Sequence, residues 1–149
     1  MCGILGPIIA ISTTGISIFL HPWFSWTENY LSDLGALGTS YNFVFNLGLI
    51  AAGIAFLLFM LGLPELVKHR MGRVGVVLLA VGMLSLVMIG VFPLGTPPHG
   101  LVSVTFYAFP LVAFLLIGGD LVREPSKRKW GAISLLAGVG LILLFPLLL

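Results

Sequence analysis

Residues 21–40 read HPWFSWTENYLSDLGALGTS, the longest polar interruption in an otherwise almost continuously apolar chain. Before it, residues 2–20 (CGILGPIIAISTTGISIFL) are long enough to cross a hydrocarbon core ~30 Å thick, and so are residues 41–63 (YNFVFNLGLIAAGIAFLLFMLGL) after it. A polar stretch between two such runs reads as a surface loop joining two membrane spans. Composition agrees. Of 149 residues, 59% are hydrophobic and 8% charged, with a mean hydropathy of +1.18. Soluble domains carry about a quarter of charged residues. A chain this poor in polar groups reads as an integral membrane protein.

Working outward, residues 2–20 lack the basic leader and small-residue cleavage site of a signal peptide and read as a retained first helix. Pro7 falls in its first turns, and Pro22 stops it. Beyond residue 63, PELVKHRMGR leads to a third span at about 74–93, closed by Pro93 and LGTPPHG. A fourth, about 100–119, carries Pro110 near its middle. DLVREPSKRK then leads to a fifth, about 130–149. The expectation is an all-α fold, one transmembrane domain over 1–149. It is a five-helix bundle with a short amphipathic interfacial helix between helices 1 and 2.

That interfacial helix follows from the loop itself. Ser25-Trp-Thr-Glu28 fits a capping box and Gly35 a C-terminal stop. At 100° per residue, Glu28, Asn29, Ser32 and Asp33 share an arc of about 140°, with Tyr30, Leu31 and Leu34 opposite. Trp23, Trp26, Tyr30 and Tyr41 read as interfacial aromatics. Charge sets the topology: all seven Lys and Arg lie in the loops after the second and fourth spans. The positive-inside rule makes those loops and the N-terminus cytoplasmic, with 21–40, 94–99 and the C-terminus outside a cell membrane.

In that orientation the scattered polar residues gather at the outer face. His21, Glu28, Asn29, Ser32 and Asp33 come from the first outer loop and His99 from the second. Asn42, Asn46, Ser103 and Tyr107 lie in the outer parts of the helices, with His99, Ser103 and Tyr107 spaced four apart. Polar groups at membrane depth normally face a bundle interior or a wet cavity. The expectation is an outer-leaflet pocket in which Asp33 meets His99, with Asn46 and Ser103 beneath. His99, Asp33 and Glu28 are the catalytic candidates; Asn29, Ser32, Asn42, Asn46, Ser103 and Tyr107 the substrate-binding ones. His21, His99 and Asp33 are the ligands if a divalent metal such as zinc is present. An Asp–His pair activating Ser103, Ser32 or a water is the metal-free version. Each residue also has a plainer reading, as a cap, a turn or an interhelical hydrogen bond.

Cys2 forbids an internal disulfide, and GxGxxG, P-loop, HExxH, CxxC and GxSxG motifs are absent. SKRK is too short and too close to the membrane to argue nucleic-acid binding. The partners expected are membrane lipids and, through small-residue helix faces, a second copy of the chain. The function expected is recognition or processing of a lipid or other amphiphile, by hydrolysis or group transfer. The alternatives are a non-catalytic lipid, ion or small-molecule binding or transport component, and a structural oligomerising bundle.

Three stretches carry a family resemblance: Glu28-Asn-Tyr-Leu-Ser-Asp-Leu-Gly35; Phe45-Asn46 with Gly48; and Gly90-Val-Phe-Pro93 followed by His99-Gly100 and Ser103. Together they resemble the domain of unknown function 998 family of small prokaryotic multi-pass membrane proteins. The resemblance covers nearly the whole chain. It implies the same fold and singles out the same residues, and it brings no activity with it.

Overall fold

A computed structural model describes residues 2–144. Its regular structure is helical: α1 (Cys2–Leu20), α2 (Asn42–Met60), α3 (Arg70–Val91), α4 (His99–Leu121) and α5 (Arg128–Leu144). Short 3-10 turns lie at Leu31–Gly35, Leu63–Glu65 and Pro125–Lys127. Four segments are long and apolar enough to cross a membrane: Gly3–Leu20, Asn42–Glu65, Arg70–Val91 and His99–Leu121. They match four of the expected spans. The fifth runs into residues 145–149, outside the described residues.

The chain gathers into two compact units, Met1–Leu58 with Leu84–Ser103, and Phe59–Met83 with Val104–Leu149. The first buries Leu34, Phe45, Ala52, Leu86 and Ile89. The second buries Met60, Val67, Val76, Leu79, Met83, Ala113, Ile117 and Leu121. Many large apolar side chains stay outside these cores, among them Ile11, Phe19, Leu47, Leu101 and Leu136. Lipid tails are as apolar as leucine, so no hydrophobic force draws such residues inward, and close packing by small residues replaces it.

The glycines show where that packing happens. In the first unit Gly48 faces the Thr13 side chain of α1, and Gly90 of α3 lies against the Asn46 carbonyl of α2. In the second, the Pro110 ring fills the space where Gly82 lacks a side chain. A Cβ on Gly131 would sit 2.5 Å from the Val122 nitrogen, and one on Gly138 2.8 Å from Leu115. Ser134, also on α5, donates its hydroxyl to the Phe114 carbonyl at 2.8 Å.

Two expectations change. The amphipathic helix between α1 and α2 is replaced by turns and the 3-10 turn Leu31–Gly35. Short polar side chains divert the backbone donors: Asn29 Oδ1 takes the Ser25 N–H at 2.9 Å and Asp33 Oδ2 the Tyr30 N–H at 2.8 Å. This is the competition by which Asn and Asp favour turns over helix interiors. The cap expected at Ser25 therefore moves to Tyr30 and Asp33. Second, α3 starts at Arg70, a turn earlier than residue 74.

Candidate functional site

In the first unit, the polar residues singled out in the sequence mostly hold the loop. Asn42 Nδ2 donates to the Ala36 carbonyl at 3.0 Å, and Asn46 Nδ2 to the Gly35 carbonyl at 2.9 Å. Thr39 Oγ1 reaches the Asp33 carbonyl at 3.3 Å. Buried His21 lies with Nδ1 2.5 Å from the Ser17 carbonyl and Nε2 2.5 Å from that of Ser40. A neutral ring donates to one of these at a time, an imidazolium to both. The Leu37 N–H donates to the Leu94 carbonyl at 2.9 Å, tying the 21–41 loop to the 92–98 turn. Irregular backbone needs such partners, because each unsatisfied group at membrane depth costs several kcal/mol, roughly.

The expected Asp33–His99 pair does not form. Asp33 is turned to the Tyr30 N–H, and His99 spends both ring nitrogens elsewhere. Its Nδ1–H donates to the Phe92 carbonyl at 2.9 Å, leaving Nε2 to accept from the Ser103 hydroxyl at 3.4 Å. A backbone carbonyl thus orients the imidazole where a carboxylate was expected. Nor do His21, His99 and Asp33 gather: among the described residues no three His, Cys, Asp or Glu side chains could hold a metal. Glu28 is exposed, Ser32 half-buried, and Asn29 is occupied by Ser25. Half-buried Tyr107 tilts its ring against Phe106, centroids 5.1 Å apart.

The loop also forms a groove. Phe24 stacks edge-on against Trp23 and Trp26, and Trp26 borders a space along α1. That space, about 390 Å³, is lined by Ala10, Ile11, Thr14, Gly15, Ile18 and Trp26. Gly15 is open to it, since a Cβ there would meet nothing within 4 Å.

A heavily bonded side chain in the second unit, Asp120, was missed in the sequence. Asp120, at the end of α4, is 2% exposed. It accepts the backbone N–H groups of Lys68 (2.9 Å) and His69 (3.1 Å), and the His69 Nδ1–H at 2.5 Å. An acid at the C-terminus of its own helix is disfavoured by the dipole. Here the start of α3 offsets that cost, and Gly72 lets its first turn close on the carboxylate. This anchorage is why α3 begins early. Around it, Lys68 pairs with Glu124 at 3.0 Å, and Lys127 Nζ donates to the Leu66 carbonyl at 2.7 Å. The available signal was an acid at the very edge of an apolar span, where burial invites a search for its partner.

Four spanning-length apolar helices with their basic residues confined to connecting segments and helix starts define a multi-pass helical membrane protein. The family described as "Protein of unknown function (DUF998)" matches residues 4–149, and the chain belongs to that family. No curated protein and no solved structure shows a significant match.

Proposed function

We propose that this protein binds a lipid or similar amphiphile at the outer leaflet of the cell membrane, with its N-terminus cytoplasmic and its C-terminus outside. The observation carrying this reading is the open groove that Trp26 lines along α1. Its lining of Ala10, Ile11, Gly15, Ile18 and Trp26 is apolar enough for an acyl chain, with Thr14 as its one hydroxyl. Its volume falls in the range of ~300–1,000 Å³ usual for small-molecule sites. Binding takes precedence over catalysis because no Asp33–His99 hydrogen bond or ion pair forms, and Asn42, Asn46 and His99 are committed to backbone carbonyls.

Gly15→Leu fills the groove from a position where a Cβ meets nothing within 4 Å, and Trp26→Ala removes its aromatic wall. Both variants should keep their fold and lose at least half of the phospholipid that copurifies in mild detergent, measured by mass spectrometry. Lipid content equal to that of the unsubstituted protein in both would sink the reading.

Orientation is tested separately. With Cys2 replaced by serine, a cysteine at Thr39 should react with a membrane-impermeant maleimide in intact cells and one at Ser126 should not. The reverse pattern would put the groove at the inner leaflet.

One geometry favours a second reading, hydrolysis or acyl transfer. Ser103 Oγ faces Nε2 of a His99 whose other nitrogen is fixed on Phe92. A nucleophile and base at 3.4 Å are slightly beyond the usual ~2.6–3.2 Å, which often tightens once substrate binds. On this reading the Ser103 hydroxyl attacks an ester carbonyl of the lipid as His99 Nε2 takes its proton. The ester C–O bond breaks, and the imidazolium returns the proton to the departing alcohol. Water or a second alcohol then releases the acyl group from Ser103, and Asp33 and Glu28 have no catalytic role.

A further inference from the structure

The second unit holds a cleft of about 360 Å³ lined by Leu66, Leu121, Ser126, Lys127 and Trp130. We infer that it is a site for one anionic phospholipid, with the phosphate held at Lys127 and Ser126 and the acyl chain laid along Leu66, Leu121 and Trp130. The site is separate from the groove beside Trp26 and does not depend on the function proposed for that groove.

The argument is charge complementarity within an apolar frame. All seven Lys and Arg of the chain fall in this unit, against the three acids Glu65, Asp120 and Glu124. Two of those acids are already occupied: Asp120 is buried against Lys68 and His69, and Glu124 is paired with Lys68. Among the described residues no carboxylate comes within ion-pair distance of Lys127, Arg128 or Lys129. Lys127 is also held in position. It spends one of its three donors on the Leu66 carbonyl at 2.7 Å, so its ammonium is fixed at the rim with two donors left. A fixed ammonium loses less freedom on binding than a waving surface lysine. Ser126 adds an exposed hydroxyl, and Trp130, 68% exposed, is an aromatic of the kind that settles at headgroup level.

Phosphate alone would not need the apolar lining, and a zwitterionic lipid would bring its own cation to a surface that already has an excess. An anionic phospholipid satisfies both parts.

Native mass spectrometry of the full chain in neutral detergent tests this with phosphatidylglycerol, phosphatidylcholine and water-soluble glycerol phosphate as probes. One phosphatidylglycerol should be retained about tenfold more strongly than phosphatidylcholine, whose choline cation offsets the attraction of its phosphate to Lys127. Lys127→Gln should erase that preference, Lys127→Arg should keep it, and Lys129→Gln should leave it nearly unchanged. Trp130→Ala should weaken both lipids together. Equal loss in Lys127→Gln and Lys129→Gln would reduce the effect to diffuse charge and overturn the site. So would glycerol phosphate competing as well as the lipid. If Lys127→Gln fails to fold, loss of the preference in a folded Lys127→Arg would overturn the site.

Discussion

Asp120→Ala is expected to be among the most damaging single changes in the chain, costing about 3–5 kcal/mol, because two backbone N–H groups lose a charged acceptor at about 1.5–3 kcal/mol each. Its carboxylate serves three donors, two of them backbone N–H groups that alanine leaves without a partner. At about 2–4 °C per kcal/mol for a chain of this size, the melting temperature in detergent should fall by roughly 6–20 °C. The ranking of neighbouring variants is more telling than the size. His69→Ala removes only the imidazole bond and should cost clearly less, since both backbone donors keep their acceptor. Glu124→Gln touches a largely exposed pair with Lys68, worth roughly 0–1 kcal/mol. A thermal-shift series that places Asp120→Ala level with Glu124→Gln would show that the carboxylate does not anchor α3.

Gly90→Ala is expected to be comparably severe, although it adds one methyl group. A Cβ at that position meets the backbone carbonyl of Asn46, with Ile50 close behind at 2.7 Å. A flexible side chain moves aside; a helix backbone does so only by shifting α2. Overpacking typically costs about 1–3 kcal/mol, and a backbone obstacle puts this case at the upper end. The shift would reach the loop, because Asn46 also donates to the Gly35 carbonyl. Limited proteolysis between residues 21 and 41 should therefore quicken in Gly90→Ala. The matched control is Gly140→Ala, where nothing lies within 4 Å and the gain in helix propensity should be neutral to mildly stabilising. Similar behaviour of the two variants would mean that α2 and α3 do not approach closely there.

The spans were readable because bilayer thickness sets a length that an apolar run either meets or misses. α1 and α4 fall within two residues of their expected limits. The loop was readable as a polar concentration, but its local form was not. Ser25 and Glu28 offer a capping box, and nothing in their spacing reveals that Asn29 and Asp33 will take the nearby N–H groups for turns. The same ambiguity governed the candidate site. Asparagine serves a ligand or a carbonyl with one chemistry, so Asn42 and Asn46 pointed to polarity without naming its recipient. His69 and Asp120 lie 51 residues apart, with no periodicity to link them. Only the approach of α3 to the end of α4 brings them together.

The bonds that hold the 21–41 loop have a consequence for how freely its sequence can be rewritten. Asn42, Asn46, Thr39 and His21 all grip main-chain oxygens, those of residues 36, 35, 33 and 40. Every residue type supplies that oxygen, so these clasps are indifferent to the side chain displayed at the position they hold. The exposed display at Trp26, Thr27 and Glu28 can then be exchanged while the clasps stay unchanged. The arrangement separates what holds the loop from what the loop displays, as a socket holds interchangeable fittings.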